Sequence, residues 1–78
     1  MTFDEAVAAI RESGSMRGRY RGNAGRLFVG PTGSIQLRYD QRKRWEVFSR
    51  GAVEGLAALE VKVGNRYERG VITGEEVK

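Results

Sequence analysis

Arg17, Arg19 and Arg21 stand at every second position of the segment Arg17-Gly18-Arg19-Tyr20-Arg21-Gly22. A guanidinium is a planar fork of donors, permanently charged and weakly hydrated, and it matches the oxygens of a phosphate. Side chains of an extended strand alternate between faces, so this spacing predicts three cations on one side and Met16 and Tyr20 on the other. Gly18 and Gly22 would let a partner's backbone approach closely, and Tyr20 would add stacking if the register turned it outward. A second basic run, Arg42-Lys43-Arg44, is preceded by Arg38 and followed by Trp45. A charged loop beside an aromatic ring is a common grip on nucleic acid.

Charge is distributed unevenly: residues 1–16 carry −2, residues 17–50 carry +7 and residues 51–78 carry −1. Such a local field draws an anionic partner more surely than net charge alone. If both basic runs share a face, the patch gathers seven positive groups and its binding falls steeply with salt. The competing reading is structural. A charged edge strand resists edge-to-edge aggregation, and a basic hairpin tip keeps a small domain soluble.

Catalytic chemistry has little to work with. The chain has neither cysteine nor histidine, which removes disulfides, thiolate or imidazole metal sites and the usual nucleophile and base pairs. The candidate acids and bases, Asp4, Asp40, Glu46, Glu54 and Glu68, form no spaced pair on one predicted face. Ser13, Ser15, Ser34 and Ser49 have no base nearby, and Lys43 lies in an exposed loop instead of an apolar pocket. Val29-Gly30-Pro31-Thr32-Gly33-Ser34 lacks the lysine and following hydroxyl of a phosphate-binding loop, and its proline removes an amide donor, so it reads as a hairpin turn. The expectation is a binding protein without enzymatic activity, cofactor or metal.

The elements that must position these residues follow from periodicity. Thr2 and Glu5 form a capping box, and Phe3, Ala6, Val7 and Ile10 make one apolar helical face, predicting a helix over residues 3–13 stopped by Gly14. A meander follows. Residues 16–22 make a first strand, Asn23-Ala24-Gly25 a turn, and residues 26–30 a second strand with Leu27 and Val29 on one face. Residues 34–40 alternate most clearly, with Ile35, Leu37 and Tyr39 inward. Residues 44–48 place Trp45 and Val47 inward and Phe48 on the opposite face. Ser49 is expected to cap a short helix of about ten residues carrying Val53, Leu56 and Ala57, weakened by Gly51 and Gly55. Val61 and Val63 then mark a strand joined through Gly64-Asn65 to a last strand over residues 66–73, with a frayed tail at 74–78.

These elements predict one α+β domain over residues 1–78: a helix on a twisted antiparallel sheet of four to six short strands, with a second short helix before the last hairpin. The acidic start lacks the features of a signal peptide, and no apolar run reaches the ~18 residues of a membrane span. A cytoplasmic protein that does not use a membrane is expected, either monomeric or paired through a strand edge.

The opening Met1-Thr2-Phe3-Asp4-Glu5-Ala6-Val7-Ala8-Ala9-Ile10-Arg11-Glu12-Ser13-Gly14, running into a basic strand, resembles the starts of short phage and prophage proteins. Among these are small anti-defence proteins that sequester nucleotide signals, although the tryptophan often found after their basic strand is replaced here by Tyr20. As a compact chain without cysteine, histidine or a catalytic motif, it also looks like the small anti-CRISPR proteins, a resemblance of type that assigns no residues. It implies an inhibitor that occupies the acidic surface of a host protein or ribonucleoprotein complex in the host cytoplasm. Direct binding of DNA or RNA and capture of a nucleotide signal are the alternatives. Under each, the contacts fall to Arg17, Arg19, Tyr20, Arg21, Arg38, Arg42, Lys43 and Arg44.

Overall fold

The computed structural model describes residues 1–13 and 16–73, so the expected helix stop at Gly14 and the expected tail at 74–78 lie outside the described residues. Helix α1 (Phe3–Ser13) begins on the anticipated reciprocal cap. The Thr2 amide donates to Glu5 Oε1 at 2.8 Å, and the Glu5 amide donates to Thr2 Oγ1 at 3.1 Å. The bond from the Thr2 backbone, then that with its side chain, holds the Glu5 carboxyl below its ordinary pKa. Phe3, Ala6 and Ile10 are buried on one side of the helix.

Six strands follow: β1 (Met16–Tyr20), β2 (Asn23–Val29), β3 (Ile35–Tyr39), β4 (Trp45–Phe48), β5 (Glu60–Val63) and β6 (Arg66–Arg69), with helix α2 (Val53–Ala58) between β4 and β5. They form one antiparallel sheet in the order β4-β3-β2-β1-β5-β6. The α+β architecture read from periodicity is therefore present, with the second helix ahead of the last hairpin. Leu27, Ile35, Leu37, Phe48 and Val61 join α1, Leu56 of α2, Leu59 and Ile72 in the core. Both helices lie on this inner face, and among the described residues no helix covers the opposite face of the sheet, the open face.

Several local readings are corrected. β1 ends at Tyr20, and the turn consists of Arg21 and Gly22, whose φ values are 52° and 80°. Two successive positive φ values give a hairpin turn whose twist matches that of the flanking strands, so Asn23, Ala24 and Gly25 become strand instead of loop. Gly18 does not face a partner; it lies on the inner face opposite Gly25, where an added Cβ would sit 3.1 Å from Leu27 Cδ1. At Gly25 a Cβ would come 2.1 Å from the Arg38 carbonyl oxygen, so only glycine lets β2 and β3 approach this closely. α2 is shorter than expected, starts after Ala52 and has no side-chain cap; the Ser49 carbonyl instead accepts from the Ala52 amide. The last strand stops at Arg69. Gly70 (φ 70°) then turns the chain so that Ile72 enters the core and the Val71 carbonyl accepts from the terminal amine of Met1.

The largest correction concerns β4. Phe48 is 3% exposed, whereas Trp45 and Val47 are 58% and 53% exposed, the reverse of the expected facing. Register decides it, because Ile35 lies opposite Phe48 and Arg38 opposite Trp45. Phe48 then meets the Tyr20 ring edge-on at 5.1 Å and contacts the bare face of Gly55. Two apolar residues are left outside so that the larger inward contact can form.

Candidate anion-binding face

Register, not sequence proximity, assembles the site. Arg17 of β1 lies opposite Arg26 of β2, Arg26 opposite Arg38 of β3, and Arg38 opposite Trp45 of β4. The four therefore form a row across the open face, spanning three strand spacings or ~14 Å. Beside it, the Arg38 guanidinium stacks over the Phe28 ring at 4.7 Å. On the other side, Arg19 stacks over Tyr67 at 4.5 Å. Lys62 and Arg69 share this face, because they pair in register with Tyr67 and Glu60.

Two carboxylates temper the charge. Arg17 is held bidentately by Asp40, with Nη1 donating to Oδ1 at 3.1 Å and Nη2 to Oδ2. Arg19 is held by Glu60, with Nε donating to Oε1 at 2.9 Å and Nη2 to Oε2 at 3.1 Å. The hydrogen bond from Arg17 is the main reason the Asp40 carboxyl sits below its ordinary pKa, and the charges of Arg17 and Arg26 add to it. The bond from Arg19 acts likewise on Glu60, and both guanidinium groups are shifted upward by the same contacts. Each bidentate pair engages two of the five guanidinium N–H groups. Six cations against two carboxylates leave the open face with an excess of four positive charges. Arg26, Arg38, Arg42, Lys43 and Arg44 are in no ion pair among the described residues.

The expected site residues divide into three groups. Arg17, Arg19 and Arg38 share the open face. Arg42, Lys43 and Arg44 belong to the β3–β4 loop and join Arg38 and Trp45 around an open cavity of about 490 Å³. Arg21 and Tyr20 depart from expectation. Arg21 leaves the strand at the turn, and its guanidinium stacks on the Tyr20 ring at 5.2 Å. Tyr20 is half-buried against Phe48 on the inner side. The aromatic rings of the open face are therefore Trp45, Phe28 and Tyr67.

Arg26, Phe28 and Tyr67 carry no contact role in the sequence reading, and Trp45, noted there beside the basic loop, is expected inward and is found outward. Alternation carried a signal for the first two, since an inward Leu27 and Val29 turn Arg26 and Phe28 outward.

Among the described residues no three acidic side chains converge on a site for a metal ion. No helix among them is long and apolar enough to cross a membrane. No protein-family model, curated protein or solved structure matches the chain.

Proposed function

We propose that this chain is a non-catalytic binding protein that lays its open sheet face against a single strand of nucleic acid. The observation that carries this reading is the row Arg17, Arg26, Arg38 and Trp45. Like charges directly opposite each other on neighbouring strands destabilise a sheet. Two such pairs stand side by side here, Arg17 with Arg26 and Arg26 with Arg38. Apart from the attraction of Arg17 and Arg26 to Asp40, folding gains little from that arrangement, whereas a polyanion gains a track of cations one strand spacing apart. Exposed Trp45 ends the row, and Phe28 and Tyr67 flank it. A charged track with aromatic faces on which bases stack is the combination that single strands require. Bases locked in a duplex cannot reach such faces, which favours unpaired nucleotides.

A second reading, occlusion of a host nucleic-acid-handling complex by a small phage-encoded inhibitor, is supported by one observation. Trp45 and Val47 form an exposed apolar pair along edge strand β4, beside an unpaired backbone edge suited to a protein partner.

Anisotropy of a labelled oligothymidine with hydroxyl ends tests the first reading, and saturable binding that weakens with salt is expected. Affinity capture from a bacterial lysate with and without nuclease separates the two. Absence of binding to any single strand at low salt overturns the first reading, and recovery of one protein complex regardless of nuclease establishes the second.

A further inference from the structure

The geometry points to the cavity between the β3–β4 loop and the open face as a subsite for a nucleotide that bears a phosphomonoester. This inference deepens the nucleic-acid reading and rests on it for the polymer, although the cavity can be tested alone. Its volume, about 490 Å³, falls within the ~300–1,000 Å³ typical of small-molecule sites. Its lining is unlike the rest of the face. Arg38, Arg42, Lys43 and Arg44 line it together with Gln36, Tyr39 and Trp45, and no carboxylate does. Along the row one cation serves each strand spacing, which suits the single charge of a phosphodiester. Four cations around one cavity exceed that need and suit a phosphomonoester, which carries about −1.5 to −2 at neutral pH and three acceptor oxygens.

The two halves of a nucleotide have separate partners here. The exposed indole of Trp45 offers a stacking face to a base, and its register partner Arg38 is already fixed over Phe28 at 4.7 Å. The loop cations Arg42, Lys43 and Arg44 lie where the phosphate would follow. The cavity lies at the Trp45 end of the arginine row, so a strand running along the row would deliver a terminal nucleotide to it. A terminal phosphate at either end of a chain presents the same chemistry.

Trp45 is the sole tryptophan and therefore reports directly on the cavity. Its fluorescence would be titrated with a thymidine trinucleotide carrying a 5′-phosphate, a 3′-phosphate or hydroxyl ends, with calorimetry as a second readout. At least one phosphorylated trimer should bind about tenfold or more tighter than the hydroxyl form, with the preferred end identifying the source. The advantage should fade below about pH 6 as the phosphomonoester dianion takes up a proton and becomes a monoanion. The chain has no histidine to imitate that transition. Replacing Arg42, Lys43 and Arg44 together with glutamine should abolish the preference while thermal unfolding stays cooperative. Equal affinity for all three trimers, or a preference that survives the triple substitution, overturns the subsite. If a longer hydroxyl-ended strand still binds in that case, the sheet-face reading stands without it. If the longer strand fails to bind while a phosphorylated trimer succeeds, the subsite stands as a mononucleotide site and the strand reading falls.

Discussion

Arg26→Gln separates a binding row from a decorative one, because the two readings predict opposite changes. The side chain is exposed at the centre of the row, between Arg17 and Arg38, and is in no ion pair among the described residues. Removing it relieves two like-charge cross-strand neighbours, a gain of ~0.2–1 kcal/mol for the fold. Its favourable pull on Asp40 is also lost, but that exposed carboxylate keeps its direct bonds to Arg17. For a domain of this size a gain of about half a kcal/mol raises Tm by roughly 2–4 °C. Binding should move the other way. A charge-assisted contact to phosphate is worth ~1.5 kcal/mol or more, a loss of about tenfold in affinity. Counterion release gives a second measure. The five cations of the row and its adjoining loop that are in no ion pair among the described residues, Arg26, Arg38, Arg42, Lys43 and Arg44, predict a slope of log affinity against log salt near −3.5 for a single strand, falling to about −2.8 in the variant. Anisotropy between about 50 and 200 mM salt measures the slope, and differential scanning calorimetry measures the fold. A variant that melts lower and binds as well as the parent would refute the reasoning, since Arg26 would then serve structure and not the partner.

Trp45→Ala should leave stability within ~0.5 kcal/mol and cost ~1–3 kcal/mol of strand affinity, whereas Phe48→Ala should cost ~3–5 kcal/mol of stability in urea unfolding. Equal destabilisation by the two would contradict the facing of β4. Asp40→Asn should release Arg17 to the partner, tighten binding and steepen the salt slope by about 0.7; weaker binding would mean that the carboxylate positions Arg17 instead of competing for it. The carboxyls of Asp40 and Glu60 sit lower in the folded state than in the unfolded chain, so their stabilisation is complete above the ordinary carboxylate range and lost as pH falls through the depressed values. The Asp40→Asn, Glu60→Gln double variant should therefore show a flatter acid limb in urea midpoint against pH, and an unchanged limb would assign acid sensitivity elsewhere.

The parts of the fold legible in the sequence are those fixed by local rules. The capping box, the apolar face of α1, the alternation of β3 and the Gly64-Asn65 turn each depend on neighbours within a few residues, and each is found as read. β4 defeats this approach because four residues supply alternation without saying which parity is inside. Trp45 and Val47 outnumber Phe48 locally, yet the choice belongs to the pairing with Ile35 and to the Tyr20 ring, neither of which lies nearby in the chain. α2 was overextended for a similar reason, since Ser49 has a capping residue's chemistry but its carbonyl is used in a turn before the helix begins.

The site was legible in its charges but not in its alignment. Placing the first turn at Asn23-Ala24-Gly25 instead of Arg21-Gly22 shifts the pairing of β1 with β2, and the coincidence of Arg17 with Arg26 disappears. With the turn at Arg21 and Gly22, the Tyr20 and Asn23 pair fixes every later partner, and Arg17 falls opposite Arg26 without further choice. The positive φ of Arg21 thus removes one arginine from the run that drew attention, while the register it sets recruits Arg26. A basic segment read along the chain becomes a basic row read across it, and only the row places cations at strand spacing beside the half-buried ring of Phe28 and the exposed ring of Trp45.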